Sequence, residues 1–163
     1  KDRRLQRQVP VEGGGSVADF VPFYFASRSP MMFAIAKGNV PGYDEGTGRL
    51  VYLTSTIEEL QAHHLEIVIS DRNAVLAYTS FLRLEEVDRD GDFIDWDLMR
   101  ASYWLDFQDG RERRMAECLV REAVPWEAIL RVVARDREVA QEVKSMLPKG
   151  RTPLVSVEPN WYF

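Results

Sequence analysis

Residues 21–33 read VPFYFASRSPMMF, and this stretch decides how the first part of the chain folds. Its opening apolar run is typical of a buried strand, near whose beginning Pro22 is tolerated. An Arg-Ser-Pro turn interrupts the run, and Pro30 suits the first turn of a helix that continues through MMFAIAKGN. Arg28 lies between two apolar runs. It is either an ordinary turn residue or a charged group that faces something polar in a pocket.

Similar patterns predict the elements that follow. Apolar runs predict further strands at 50–56, 65–70, 117–120, 130–136 and 154–163. Helical spacing and capping predict the end of a helix in the opening residues and helices at 56–64, 93–104 and 137–147. Residues 71–81 predict a turn that continues as a helix, and the strand at 117–120 is expected to end near Pro125. The prediction is one mixed α+β domain, residues 1–163, with about five or six short strands.

Composition narrows the class of protein. The chain has 163 residues, of which 45% are hydrophobic and 29% charged, as in ordinary globular domains. Its one cysteine, Cys118, excludes an internal disulfide framework and fits a reducing compartment. No stretch approaches the apolar length of a membrane span. The net charge of −5 does not favour nucleic acid as a partner.

Charge is nevertheless unevenly distributed along the chain. Two basic groups contrast with one acidic segment, which permits a locally basic cleft on an acidic protein. The first basic group is Lys1, Arg3, Arg4 and Arg7, and the second is Arg111, Arg113 and Arg114. The acidic residues are Glu85, Glu86, Asp88, Asp90, Asp92, Asp95 and Asp97.

Common catalytic and metal signatures do not occur in this sequence. It has neither a GxGxxG motif after a strand nor a Walker loop. With one cysteine and two adjacent histidines, His63 and His64, no zinc site has suitable spacing. The two histidines fall near a predicted helix end, where charge alone favours them. Cys118 follows an acid rather than a base, which indicates a core residue and not a reactive thiolate.

Glu117 is the carboxylate that most needs a partner. It lies in MAECLV, between apolar residues that are expected to be buried. An unpaired carboxylate there would be strongly destabilising, so an arginine should accompany it. The pair is either a structural salt bridge, with Arg113, Arg114 or another arginine, or part of a functional site.

Five segments resemble one known family. They are FVPFYFASRSPM at 20–31, Asp2-Arg3-Arg4 followed by Val9, SDRNAVLAYTSF, IDWDLMRASYW, and RERRMAECLVREAVPW; the terminal Trp161, Tyr162 and Phe163 also fit. In this order they resemble the DarT family, bacterial toxins that transfer ADP-ribose from NAD onto single-stranded DNA. The resemblance covers essentially the whole chain.

The resemblance implies a fold and a function. The implied fold is an ADP-ribosyltransferase-like α+β fold with a central split β-sheet and flanking helices. The implied enzyme is a mono-ADP-ribosyltransferase toxin that uses NAD as donor and thymine in single-stranded DNA as acceptor, without a metal. Its implied partner is an antitoxin of the DarG type. The implied place of action is the bacterial cytoplasm, on chromosomal or phage DNA.

The resemblance also implies site residues. Glu117 matches the catalytic glutamate and Arg4 the essential arginine, with Arg3 able to exchange roles with Arg4. Tyr24, together with Arg4 and Arg3, is expected to contact NAD. The residues expected to contact DNA are Arg28, Met31, Arg72, Asn73, Tyr78, Arg111, Arg113 and Arg114.

Three alternatives stay open at this point. Members of the family begin with a further segment, a His-x-Thr/Ser-His stretch that contacts NAD, and no such stretch occurs in these 163 residues. We therefore expect either a truncated sequence or a domain that has lost part of its NAD site and binds only nucleic acid or an antitoxin. A second alternative keeps the NAD chemistry but modifies guanine or a protein side chain. A third is an unrelated α+β domain in which Arg4 and Glu117 form only a structural bridge.

Overall fold

The computed structural model describes residues 2–88, 91–148, 150 and 152–163. Lys1 of the first basic group and Asp90 of the acidic segment lie outside the described residues. The chain divides into two compact units, the first formed by Lys1–Ser29 and Leu65–Val124 and the second by Pro30–His64 and Pro125–Phe163. The single domain over residues 1–163 stays a prediction.

Strands and helices are short throughout the described residues. The strands are β1 (Phe20–Tyr24), β2 (Tyr52–Thr54), β3 (Ile67–Ser70), β4 (Phe81–Arg83), β5 (Glu117–Arg121), β6 (Arg131–Ala134) and β7 (Leu154–Val157). The helices are α1 (Asp2–Gln6), α2 (Pro30–Ala36), α3 (Ile57–Ala62), α4 (Trp96–Arg100), α5 (Gly110–Arg113) and α6 (Arg137–Met146). Single 3-10 turns occupy Val17–Asp19, Leu84–Glu86, Trp126–Ala128 and Pro159–Trp161.

The first unit is built on a four-stranded antiparallel sheet in the order β1-β5-β3-β4. The two central strands, β3 and β5, are buried along almost their whole length, as apolar runs without alternation predict. Val68 and Leu119 pack with Val17, Phe20 and their neighbours into one apolar cluster. The centre of the sheet is therefore tightly packed, and Glu117, the first residue of β5, lies at one end of it.

The second unit contains a three-stranded sheet in the order β2-β6-β7. Strand β6 pairs antiparallel with β2 and parallel with β7. Helix α6 begins where the Asp136 carboxylate accepts a hydrogen bond from Val139 N at 3.0 Å, the expected N-cap. Thr56 caps α3 in the same way by accepting from Glu59 N, so of the two residues that suit this cap the structure uses Thr56.

Most predicted elements are confirmed, and the mixed α+β class with them, but the helix predicted within 71–81 is wrong. Residues 71–80 form a loop of turns, and β4 follows directly. The Asp71 carboxylate accepts from Ser80 N at 2.9 Å, and Asn73 Oδ1 accepts from Val75 N at 3.2 Å. These local side-chain bonds satisfy backbone donors and compete with a helix.

Other boundaries also differ from the prediction. Strand β5 ends at Arg121, well before Pro125, and β7 ends at Val157, because a 3-10 turn begins at Pro159. The described residues contain seven strands rather than about five or six, and the additional one is β4. None of their helices has the length and apolar content that crossing a bilayer requires.

Candidate functional site

Two predicted site residues, Glu117 and Tyr24, form a row with Ser70 across the sheet of the first unit. Glu117 begins β5, Tyr24 ends β1 and Ser70 ends β3. The register pairs Tyr24 with Glu117 on one side and Ser70 with Glu117 on the other. Residues directly opposite in antiparallel strands have neighbouring side chains, so the sheet gathers these three groups at one of its ends.

Arg4 and Glu117 meet at this end of the sheet. Arg4 Nη1 donates to Glu117 Oε2 at 2.9 Å, and the two side chains are 28% and 1% exposed. Arg4 Nη2 lies 3.4 Å from the carbonyl oxygen of Val17, which orients the guanidinium further. The structure thus selects Arg4 as the ion-pair partner of Glu117. The bond to the guanidinium fixes the position of this buried carboxylate at the sheet end.

The other carboxylate oxygen is held by backbone. Ala74 N, in the loop that follows β3, donates to Glu117 Oε1 at 3.1 Å. Glu117 N in turn donates to Ser70 Oγ at 3.1 Å. Oε1 thus accepts a hydrogen bond from Ala74 N and Oε2 accepts one from Arg4. Each oxygen has a second lone pair, so these two bonds orient the carboxylate without using all of its acceptor capacity.

Tyr24 lies beside the ion pair. Burial, with a smaller contribution from the negative charge of Glu117, raises the pKa of Tyr24 to about 12, against a lowering by Arg4. The phenol is therefore neutral at physiological pH and able to donate a hydrogen bond. Its half-buried ring offers a flat apolar face next to a charged pair.

Loop 71–80 is fastened to α5 by residues that were predicted to contact DNA. Asn73 N donates to the carbonyl oxygen of Glu112 at 3.0 Å, and the Tyr78 hydroxyl donates to Glu112 Oε2 at 2.6 Å. This hydrogen bond raises the pKa of Tyr78, which is 58% exposed. Arg72 lies over the Tyr78 ring at 5.4 Å and pairs with Asp71 at 3.0 Å. Loop 71–80 is therefore attached to α5 through two hydrogen bonds to Glu112.

The three arginines of the second basic group have different surroundings. Arg111 is exposed, while Arg113 is half-buried and pairs with Asp95 at 3.1 Å. Arg114 is buried, and its Nη1 donates to the carbonyl oxygens of Leu98, Met99 and Ala101 at the end of α4. The phosphate contact predicted for Arg114 does not fit this placement, because its guanidinium is engaged in closing a helix.

The remaining predicted residues do not join the ion pair. Arg3 is exposed, and successive residues of a helix do not face each other. Arg28 is half-buried. Burial of Arg114 lowers the pKa of Arg114, and the positive charge of Arg28 lowers it further. Met31 belongs to the second unit, on α2, where it is 49% exposed.

A polar cleft of about 350 Å³ opens next to this sheet end, within the first unit. It starts at Asp71, the residue after Ser70, and its volume is that of a small-molecule site. Glu117 does not line it. The lining residues are Asp71, Arg72, Ser80, Asp92, Phe93, Gln108, Asp109 and Arg113.

The cysteine and the first of the two histidines have structural roles in the described residues. Burial raises the pKa of Cys118 to about 12, in agreement with a core thiol. His63 is the C-cap residue that follows α3, and its Nε2 lies 3.4 Å from Oε1 of Glu59, one turn earlier. Across residues 2–88, 91–148, 150 and 152–163, no three His, Cys, Asp or Glu side chains are grouped to hold a metal ion.

The sequence did not predict the contributions of Ser70 and Ala74. Both depend on the pairing register and on a main-chain N–H, neither of which a residue pattern reveals. The available signal was the position of Ser70, a polar residue that ends an otherwise apolar strand, LEIVIS.

Comparisons with known proteins agree on one family. Residues 1–163 match the family described as ssDNA thymidine ADP-ribosyltransferase, DarT. A protein of Thermus sp. (strain 2.9), named DNA ADP-ribosyl transferase, is 36% identical over 167 residues, which cover 100% of this chain and 78% of that protein.

Solved structures are similar over nearly the whole chain. The structure of Thermus sp. 2.9 DarT in complex with ADP-ribosylated ssDNA superposes with a TM-score of 0.90 at 34% identity, covering 99% of this chain and 77% of that one. The structure of Thermus sp. 2.9 DarT in complex with NAD+ gives a TM-score of 0.89 at 34% identity, covering 100% of this chain and 82% of that one. The predicted family resemblance and the ADP-ribosyltransferase fold are confirmed.

Proposed function

The chain belongs to the DarT family of DNA ADP-ribosyltransferases, and we propose that it transfers ADP-ribose from NAD to thymine in single-stranded DNA. The observation that carries the proposal is the buried ion pair between Arg4 and Glu117. The family resemblance implies catalytic roles for these two residues. They meet at a sheet end next to a polar cleft.

Glu117 is the residue we assign to stabilising the reacting sugar. When the bond between nicotinamide and ribose C1′ breaks, its electron pair leaves with nicotinamide and positive charge develops on the ribose, as in glycoside hydrolysis. A carboxylate that is already fixed needs no reorganisation to stabilise that charge. Each Glu117 oxygen accepts one hydrogen bond within the protein, and we assign the remaining lone pair to a ribose hydroxyl.

Arg4 and Tyr24 are assigned to holding NAD. Arg4 is 28% exposed, so part of its guanidinium remains accessible to a pyrophosphate oxygen while Nη1 holds Glu117. Tyr24 offers a neutral phenol and a ring face, which suit stacking against nicotinamide. Both residues adjoin Glu117, beside which we propose that the glycosidic bond of NAD lies.

The DNA strand is assigned to the loop and helix beside the cleft. Tyr78 is exposed and suits stacking on a base, and Arg111 is exposed on α5 and suits a phosphate. Arg72, Asn73 and Arg113 brace this surface through their partners in the protein. Arg114 is not part of the proposed surface.

Thymine fits the chemistry of the acceptor. In a nucleotide thymine has one ring N–H, and attack on C1′ through that nitrogen releases its proton to a base. The N–H lies on the pairing edge, so it is reachable only outside a duplex, which accounts for single-stranded substrate. We assign acceptance of this proton to Glu117, the buried carboxylate at the sheet end.

The toxin role and its partner follow from family resemblance alone. We propose that uncontrolled modification of single-stranded DNA in the bacterial cytoplasm is toxic, and that a DarG-type antitoxin reverses it. Expression in cells with and without a DarG-type glycohydrolase tests this role separately from the chemistry.

The experiment that tests the function uses labelled NAD and a set of single-stranded oligonucleotides. Each oligonucleotide has every thymine, or every guanine, replaced by another base, and a duplex of the unsubstituted strand is included. We expect label on every strand that contains thymine, and none on the thymine-free strands or the duplex. Label that persists without thymine and disappears without guanine would contradict the thymine assignment while retaining the NAD chemistry.

A further inference from the structure

Ser70 joins the two pieces of backbone that fix Glu117, and we propose that it is a positioning residue for the transfer reaction. The inference rests on the proposed function. Ser70 ends β3 and is fully buried, so its hydroxyl has no access to water. A buried hydroxyl must satisfy its bonds within the protein, and its partners show what it holds.

The first partner of Ser70 is the main chain of Glu117. Ser70 Oγ accepts a hydrogen bond from Glu117 N at 3.1 Å. This bond lies at the end of the β3–β5 pairing, where Ser70 and Glu117 are opposite each other. The hydroxyl thus fixes the residue from which the Glu117 side chain departs.

The second partner is the loop that holds the Glu117 carboxylate. Ser70 Oγ donates to the carbonyl oxygen of Arg72 at 2.8 Å. Two residues later, Ala74 N donates to Glu117 Oε1 at 3.1 Å. One hydroxyl therefore links the backbone of Glu117 to the loop whose N–H orients its carboxylate, using one donor and one acceptor site.

The consequence of losing this hydroxyl is displacement of the carboxylate. Without it, Glu117 N loses the hydrogen bond to Ser70 Oγ, and the start of loop 71–80 loses one attachment to β3. Catalysis by preorganised charge is sensitive to such displacement, since misplacement by about 1 Å costs on the order of 100-fold. Ser70 does not take part in the proposed contacts to NAD or DNA, so substrate binding should change little.

The test compares Ser70→Ala, which removes the hydroxyl, with Ser70→Thr, which retains it on a β-branched residue suited to a strand. Ser55→Ala is the matched control, because Ser55 Oγ donates to the carbonyl oxygen of Ala128 at 2.7 Å in the second unit. Transfer to a thymine-containing single strand is measured as kcat and KM for NAD. Rates are normalised to the folded fraction obtained from thermal unfolding.

We expect Ser70→Ala to lower kcat about 10-fold or more with KM for NAD within about twofold. Ser70→Thr should recover most of the rate, and Ser55→Ala should lose stability only. An unchanged kcat per folded Ser70→Ala molecule, or an equally impaired Ser70→Thr protein of normal thermal stability, would overturn the inference. Failure of the wild-type protein to transfer ADP-ribose would instead refute the proposed function, so the two failures are distinct.

Discussion

Arg4 and Glu117 are separated by 113 positions in the sequence, yet Arg4 Nη1 lies 2.9 Å from Glu117 Oε2. One partner is almost fully buried at the start of the central strand β5, and the other reaches it from the short helix α1. This pair ties the opening residues to the centre of the first unit. Its removal should therefore affect both stability and activity.

Replacing Arg4 with alanine should destabilise the first unit by about 3 kcal/mol, because Glu117 would then remain buried without its counter-ion. The value lies at the low end for buried pairs because Arg4 is partly exposed. Urea unfolding measures the loss. Arg3→Ala is the matched control, since Arg3 is exposed on the same helix, and it should change stability by less than about 0.5 kcal/mol. Equal losses in the two variants would refute the prediction.

Arg114→Ala should destabilise the protein without a specific effect on DNA binding. The substitution leaves the carbonyl oxygens at the end of α4 without their charged donor, a loss of about 2–4 kcal/mol. Urea unfolding and binding of a fluorescent single strand by the folded protein give the two readouts. Normal stability combined with weakened DNA binding would restore Arg114 to the DNA surface.

Arg111→Ala should have the opposite profile. Arg111 is exposed, so stability should change by less than about 0.5 kcal/mol. If it contacts one phosphate, the slope of log K against log salt concentration for single-stranded DNA should become shallower by about 0.7. Titrations at four salt concentrations measure this slope, and a slope equal to that of the wild-type protein would exclude a phosphate contact.

Stability should fall at alkaline pH because of Cys118. Burial raises the pKa of this thiol from 9.0 to about 12, so above pH 9 the unfolded chain loses a proton that the folded chain retains. The contribution is fully present below pH 9 and is lost as pH rises, by about 1 kcal/mol between pH 8 and pH 10. Tyr24 and Tyr162, each with a pKa of about 12, add to the loss above pH 10.

Cys118→Ala is the variant that isolates this effect. It should lower stability at every pH because it leaves a small cavity, but its stability should depend less on pH between 8 and 10. Denaturant unfolding of both proteins at matched pH values makes the comparison. Parallel pH profiles would show that Cys118 is not the titrating group.

The elements that apolar runs or caps define could be predicted from sequence. The apolar residues of MAECLV predict strand β5 and the burial of the acidic residue Glu117 within it. Pro30 predicts the start of α2. Arg4 as the partner of Glu117 could not be derived from pattern alone, because Arg113 and Arg114 are much nearer in sequence. The family resemblance, and not spacing, selected Arg4.

Features that depend on tertiary pairing were missed. The loop 71–80 has the small apolar residues of a helix, but Asp71 and Asn73 bind nearby backbone and keep it in turns. The sequence predicts that the second basic group forms one surface, but Arg113 and Arg114 have partners within the protein. Among the three, only Arg111 is exposed. Charge in a sequence does not reveal which side chains face water.

Glu117→Gln tests the central assignment most directly, because it keeps the size of the side chain and removes its charge. Wild-type and variant proteins are incubated with labelled NAD and a thymine-containing single strand, and label on the DNA is counted per folded molecule. We predict a loss of at least about 100-fold, the effect of removing one fixed electrostatic group, with binding of the single strand retained. A folded Glu117→Gln protein that modifies DNA at more than a tenth of the wild-type rate would contradict the account.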